Sequence, residues 1–232
     1  MSGLFLTLVA HETRLQFRYG IYFAYAFVVA FYVGVLVWGG AYLPPALVGF
    51  IIYSDPAVLG FFFLGALMML EKAEGVRRAL AIAPVSASAY FWAKALPLTL
   101  LGLVAVATMA PLVHAAVDWP VLMAAVALTA LAYLGIGVPI ALHFRTVSSY
   151  LIGSAGLMMP IILPAFLAFL DPMPAWAMIV PTAAQLRLIM IGTGAASDGF
   201  GAAVLMFAVA LAGTVAAIWF GLERLEKEIG RK

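Results

Sequence analysis

Charged side chains concentrate in one short stretch, LEKAEGVRRALAIAPVS, which follows the apolar run GFFFLGALMML. Five of them fall within eight positions: Glu71, Lys72, Glu74, Arg77 and Arg78. The apolar spacing of residues 76–83 predicts a short amphipathic helix that ends at Pro84. Such a helix can bury its apolar face among lipid headgroups. Both signs of charge at one end also suit specific pairing with a protein that docks there.

Asp55, in IIYSDPAVLG, interrupts another apolar stretch. An aspartate followed by a proline is typical of a helix start, with Asp55 as the N-cap and Pro56 as the first helical residue. We favour this interpretation. An ionisable residue at membrane depth also indicates a functional site. The second interpretation therefore places Asp55 in a transport path, as a proton or cation site.

Arg187, in PTAAQLRLIM, is isolated from other basic residues. Its apolar surroundings favour snorkelling, in which the stem packs on apolar surface and the charged head reaches the membrane surface. Contact with a substrate or with a partner subunit is the alternative.

Sequence signatures of catalysis are missing. The chain has no GxxxxGK[ST] phosphate loop, no HExxH, no GxSxG and no cysteine. Its three histidines are scattered along the chain, whereas a metal site needs ligands from neighbouring turns. No basic run resembles a nucleic-acid-binding tail. We therefore expect no enzyme activity, no metal and no cofactor in this chain itself, and no nucleic-acid partner.

The composition predicts an all-α integral membrane protein formed by a single domain, 1–232. Of the 232 residues, 66% are hydrophobic and 9% are charged, against roughly 45–50% and 25% in soluble domains. Mean hydropathy is +1.15. Crossing the hydrocarbon layer of a membrane takes about 20 mostly apolar residues. Six segments qualify as spans: 20–38, 47–70, 95–114, 120–142, 148–170 and 201–221.

The basic residues predict the orientation, because Lys and Arg accumulate in cytoplasmic loops. With six spans and both termini in the cytoplasm, eleven of the twelve Lys and Arg residues fall on the cytoplasmic side. Arg187 is the exception. The N-terminus has its apolar residues before its basic ones, the reverse of a cleaved signal peptide, so we expect it to be retained.

Two segments are expected to lie beside the spans. Residues 2–18 carry a polar face that consists of Thr7, His11, Arg14 and Arg18. This face predicts an amphipathic helix at the cytoplasmic interface, and the alternative is an extension of the first span into water. Residues 171–200 are apolar but rich in proline, which predicts short extracytoplasmic helices or a re-entrant hairpin. Pro160 and Pro164 predict a kink in the fifth span.

The run LEKAEGVRRALAIAPVSASAYFWAKAL resembles the loop between the second and third spans of ABC-2-type transporter permeases. Those loops contain E-x-x-x-G, a short helix and a Ser/Thr/Ala-Pro step, and they lead into a third span that bears a lysine. YSDPAVLGFFFLG and VPTAAQLRLI are similar to segments of the branch labelled fluoroquinolone-export permease. The resemblance covers essentially the whole chain, with Ala83 where Ser or Thr often precedes the proline.

The resemblance implies a half-transporter of a prokaryotic inner membrane that exports an apolar or amphipathic substrate, drug-like or lipid-like. A second permease copy and two copies of a separate ATPase, which binds ATP and Mg²⁺, would complete the transporter. By position, the coupling helix would contact the ATPase through Glu71, Glu74, Gly75, Arg77, Arg78, Leu80 and Pro84. A haem-exporter-type permease subunit and an ion-coupled secondary transporter that uses Asp55 are the alternatives.

Overall fold

The computed structural model describes residues 2–40, 42–75, 85–113 and 116–229, and every regular element in these ranges is a helix. The α-helices are α1 Ser2–Arg18, α2 Ile21–Gly39, α3 Pro45–Val58, α4 Leu64–Ala73, α5 Ala87–Met109, α6 Trp119–His143, α7 Val147–Ile162, α8 Ala175–Met178, α9 Pro181–Gly192 and α10 Phe200–Ile229. A π-helical turn, Leu59–Phe63, joins α3 to α4. Short 3₁₀ segments, Ala110–Leu112 and Leu163–Phe169, continue α5 and α7.

Six helical segments of the described chain are long and apolar enough to cross a membrane, which confirms the predicted number of spans and supports a multi-pass membrane protein. They are Ile21–Gly39, Pro45–Ala73, Ala87–Leu112, Trp119–His143, Val147–Phe169 and Phe200–Glu228.

The third span begins earlier than predicted, at Ala87 instead of residue 95. Ser86 caps α5, because its hydroxyl accepts a hydrogen bond from the backbone N–H of Ala89 at 3.1 Å. Tyr90 and Phe91, within this extension, are 4% and 1% exposed and pack inside the protein. This extension brings the first two turns of α5 into contact with the rest of the bundle.

The proline-rich region between the fifth and sixth spans forms short helices, as predicted. Of the two helices, α9 is the more deeply packed, with nine of its twelve residues buried against α3, α6, α10 and Leu163–Phe169. Where the sequence predicts a kink, the fifth span changes from α-helix to 3₁₀ helix at Leu163, directly before Pro164. A proline breaks the regular hydrogen-bond ladder, and the tighter 3₁₀ turn accommodates it.

The centre of the bundle is α6, which packs against α3, α4, α5, α9 and α10. Small residues let the backbones of α6 and α10 approach closely, as is common between membrane helices. A Cβ atom added to Gly221 of α10 would lie 2.5 Å from the carbonyl oxygen of Gly135 in α6. Thr214 of α10 adds a hydrogen bond between the helices, donating to the Leu128 carbonyl at 3.0 Å.

Candidate functional site

An ion cluster, formed by Glu12, Glu71, Tyr90 and Lys94, joins three helices beside the ends of α4 and α5 that flank segment 76–84. Lys94 Nζ of α5 lies 2.6 Å from Glu12 Oε2 of α1 and also donates to Glu71 Oε1 of α4. Tyr90 donates its hydroxyl to the other carboxylate oxygen of Glu71, and its ring centroid lies 4.4 Å from the ammonium of Lys94. All four residues are at most 4% exposed.

The ion cluster holds two carboxylates and one ammonium, so its formal charge is −1. Burial raises the pKa of the Glu12 carboxyl, and the negative charge of Glu71 raises it further, whereas the positive charge of Lys94 lowers it. Together these effects leave the pKa of Glu12 above its ordinary value of 4.5. Glu12 therefore takes up a proton at a higher pH than a carboxyl group in water. Because removing one partner leaves an uncompensated buried charge, the cluster holds α1, α4 and α5 together.

Glu74 and Gly75 end α4 at the start of segment 76–84. Glu74 is exposed, and its Oε2 accepts a hydrogen bond from the hydroxyl of Tyr19 at 2.6 Å. Burial and the Glu74 carboxylate raise the pKa of Tyr19 to about 12. Gly75 has φ +78°, a left-handed conformation that glycine adopts at little cost and that commonly ends helices. These contacts set the point where the chain leaves α4.

The predicted coupling residues differ in their surroundings. Glu74 is exposed and Gly75 is partly exposed, so both are accessible to a partner protein. Glu71 is 1% exposed, which corrects the expectation that its carboxylate faces a partner, because it pairs with Lys94 inside the protein. The other predicted contact residues lie outside the described residues: Arg77, Arg78, Leu80 and Pro84.

The favoured interpretation of Asp55 as an N-cap is wrong. Asp55 lies inside α3, which begins at Pro45, and Pro56 is inside the same helix. Membrane helices tolerate an internal proline where neighbouring groups satisfy the freed backbone. Asp55 is fully buried, and its Oδ2 accepts a hydrogen bond from the Tyr25 hydroxyl at 2.5 Å. Its Oδ1 has no hydrogen-bond partner among the described residues.

The expectation that Arg187 snorkels is also wrong, because the residue is 2% exposed. Its Nε donates to Asp198 Oδ2 at 2.6 Å, and its Nη2 donates to Asp198 Oδ1 at 3.2 Å and Asp171 Oδ1 at 3.3 Å. Its Nη1 donates to the carbonyls of Ala168 and Leu170 at 3.0 and 3.3 Å. All five N–H donors are thus in use, and the guanidinium ties the segments before and after α9 to that helix.

The electrostatics of this arrangement favour the charged guanidinium. Burial lowers the pKa of Arg187, but the hydrogen bonds and charges of Asp198 and Asp171 outweigh that effect and raise the pKa above its ordinary value. The geometry leaves no N–H of Arg187 for a substrate, so the side chain serves the architecture of this end of the bundle.

Sequence reasoning did not identify Glu12, Tyr90 or Lys94 as site residues. One signal was present: Glu12 and Gln16, one turn apart, lie on the face of α1 opposite its basic residues, and both are buried. A polar residue on the inward face of an amphipathic helix needs a partner inside the protein. In the described ranges, no group of three or more His, Asp or Glu side chains could hold a metal ion.

A comparison with models of protein families finds no match for this chain, and a search of curated proteins finds none either. The resemblance to ABC-2-type permeases therefore rests on the sequence motifs.

Proposed function

We propose that the chain is the membrane-spanning permease subunit of an ABC-2-type exporter, in which a separate subunit hydrolyses ATP. The observation that carries the proposal is the ion cluster, which joins α1, α4 and α5 beside the two helix ends that flank segment 76–84. A partner that binds this segment acts on three helices at once. The resemblance of the same stretch to the loops of ABC-2-type permeases supports this assignment.

In the proposed mechanism, an ATPase contacts Glu74, Gly75 and the residues of segment 76–84. Its movement displaces the C-terminal end of α4 and the N-terminal end of α5. The Lys94–Glu12 pair passes this displacement to α1, because separating two buried ions costs several kcal/mol, on the order of 3–5. Because the sequence contains no GxxxxGK[ST] phosphate loop, ATP and Mg²⁺ are assigned to the partner in this mechanism.

We place segment 76–84 and both termini in the cytoplasm, since on the span bounds predicted from the sequence this orientation puts eleven of the twelve basic residues on that side. The surface of α1 suits a helix in the membrane interface: Leu6 and Phe17 are 65% and 75% exposed, beside the exposed side chains of His11 and Arg14. The membrane is a prokaryotic inner membrane. Two permease copies and two ATPase copies form the exporter, and its substrate is apolar or amphipathic.

Co-purification with a cognate ATPase tests the proposal. Glu74→Lys and Arg77→Glu should each abolish co-purification and ATP-driven transport, while the permease still inserts into the membrane. Glu226→Lys is the matched control, because Glu226 is an exposed glutamate on α10, far along the chain from the loop. A complex that survives both charge reversals in the loop contradicts the docking assignment.

Asp55 favours a second candidate function, ion-coupled secondary transport. Its carboxyl is fully buried in a candidate span, and one oxygen lacks a hydrogen-bond partner among the described residues. A proton or a cation would satisfy that oxygen. Uptake of a panel of amphipathic dyes into inverted membrane vesicles, with the dyes added outside, separates the two functions. Export by an ABC permease requires ATP and survives an uncoupler, whereas ion-coupled transport shows the reverse and is lost in Asp55→Asn.

A further inference from the structure

Asp55 has one carboxylate oxygen that the described fold leaves unused. The residue is fully buried inside α3, within a candidate span, and its Oδ2 accepts a hydrogen bond from Tyr25 of α2. Its Oδ1 has no hydrogen-bond partner among the described residues. An ionised carboxyl group offers about four acceptor sites and no donor, so one hydrogen bond leaves most of its charge uncompensated. A carboxyl group buried in this way is neutralised by a proton unless a cation lies beside it.

The neighbouring helices offer no basic side chain for that purpose. The helices that pack against α3 are α2, α5, α6 and α9, and their described residues include three basic side chains, Lys94, Arg187 and His143. Lys94 is bound by two carboxylates in the ion cluster, and Arg187 uses all five of its N–H donors. His143 is exposed at the C-terminal end of α6. Tyr25 and Tyr32, the ionisable groups of α2 beside the carboxyl group, carry no positive charge.

A metal cation also fits this position poorly. Ca²⁺, for example, takes about six to eight oxygen ligands, several of them usually from carboxylates. In the part of the chain that the structure describes, no group of three or more Asp, Glu or His side chains could hold a metal ion. The Tyr25 hydroxyl approaches Asp55 as a hydrogen-bond donor. A proton, by contrast, needs only one further acceptor.

The same helix contains such an acceptor. In a regular helix the Ile52 carbonyl accepts a hydrogen bond from the N–H of residue 56, but Pro56 has no N–H. The neighbouring Ile51 carbonyl already accepts a hydrogen bond from the Ser54 hydroxyl at 2.8 Å. Aspartate side chains can bond to backbone carbonyls three or four residues earlier. The Ile52 carbonyl, three residues before Asp55, is therefore the acceptor that lacks its usual donor.

We propose that Asp55 carries a bound proton on Oδ1 in the folded protein and donates it to the Ile52 carbonyl. The neutral carboxyl group then accepts a hydrogen bond from Tyr25 through Oδ2 and donates one through Oδ1, so both oxygens are used. The proton thereby stabilises the contact between α2 and α3 and satisfies the carbonyl that Pro56 leaves open. This role belongs to the folded chain alone, so its test requires neither an ATPase nor a transported substrate.

Infrared spectroscopy of the full chain in lipid vesicles at neutral pH tests the proposal, because a protonated carboxyl group has a C=O band separate from that of a carboxylate. Subtracting the spectrum of Asp55→Asn isolates Asp55 from other carboxyl groups, such as Glu12. This difference should contain the band of a protonated acid. Asp198→Asn is the matched control: Asp198 is a buried carboxylate that pairs with Arg187, so its difference spectrum should lack that band. A missing band for Asp55, the result expected of an ionised carboxylate bound to water, overturns the proposal.

Thermal unfolding in detergent gives a second readout. Asparagine keeps one acceptor and one donor where the protonated acid has them, so Asp55→Asn should change the midpoint by less than about 2 °C, whereas Asp55→Leu removes both hydrogen bonds and should lower it by about 4–8 °C. Equal losses in the two variants contradict a neutral acid. A midpoint that rises with added Na⁺ or Ca²⁺ in the wild type, but not in Asp55→Asn, identifies a bound cation and also overturns the proposal. The infrared difference needs only Asp55→Asn, so the test stands if Asp55→Leu does not fold.

Discussion

Lys94 of α5 and Glu12 of α1 are 82 positions apart in the chain, yet their Nζ and Oε2 atoms lie 2.6 Å apart and are almost fully shielded from solvent. Glu71 shares the same ammonium from the end of α4. Desolvation offsets much of the attraction within such a cluster, so its main effect is to specify which helices meet. Removing one member should lower the stability of the protein strongly, because the buried charges that remain have no partner.

Lys94→Met should therefore be strongly destabilising, since it leaves two carboxylates buried without a cation. We expect the free energy of unfolding, measured by denaturant titration in micelles, to fall by about 3–5 kcal/mol. Lys227→Met is the control, because the Lys227 side chain is 63% exposed and its pair with Glu223 lies in water, where removing one partner leaves no buried charge. Equal losses in the two variants would show that the ion cluster does not hold the helices together.

The raised pKa of Glu12 predicts a pH dependence of stability. The carboxyl titrates near 4.5 in the unfolded chain and at a higher pH in the folded protein, so the folded state binds this proton more tightly. The resulting stability is fully present below pH 4.5 and is lost as the pH rises through the folded value. Glu12→Gln should flatten the fall in unfolding free energy as the pH rises above 4.5. Identical slopes in wild type and variant would contradict this prediction.

The two aspartates that bind Arg187 should differ in importance. The Asp198 side chain is 9% exposed and takes two hydrogen bonds from the guanidinium, whereas Asp171 is 83% exposed and takes one. Asp198→Asn should lower the free energy of unfolding by about 1.5–3 kcal/mol, and Asp171→Asn by less than about 1 kcal/mol. Thermal unfolding of both variants in detergent measures the difference, and the opposite order would contradict the assigned geometry.

The close contact between α6 and α10 should not tolerate a side chain. In Gly221→Ala the added Cβ would lie 2.5 Å from the Gly135 carbonyl oxygen, so the helices must separate. We expect a loss of about 1–3 kcal/mol in the free energy of unfolding. Gly201→Ala, on the same helix with nothing within 4 Å of the added atom, should leave stability unchanged or raise it by up to about 1 kcal/mol. Similar effects at both positions would rule out a tight crossing.

The six spans could be predicted from the sequence because the length and composition of an apolar segment are local properties. The start of α5 at Ala87 could not be predicted in this way. The polar residues after Pro84 lower the local hydropathy, and the burial of Tyr90 that extends the helix depends on Glu71, which belongs to another span.

The surroundings of Asp55 and Arg187 could not be predicted from local sequence either. Asp-Pro occurs both at helix starts and inside kinked membrane helices, and the choice here depends on Tyr25, thirty positions earlier on another helix. Arg187 looked isolated because its acidic partners stand 11 and 16 positions away, beyond the reach of helical spacing rules. Contacts between elements, which a single sequence does not encode in its spacing, decide both cases.

The chain order of the ion cluster has a consequence for how the protein is made. The ribosome produces Glu12 and Glu71 before it produces Lys94, the cation that both carboxylates require. Until then each carboxylate stays in water, because burying it without a partner is too costly. The start of α5 must therefore be synthesised before the N-terminal helix can dock. The docking of α1 therefore waits until α2, α3, α4 and the start of α5 have been made.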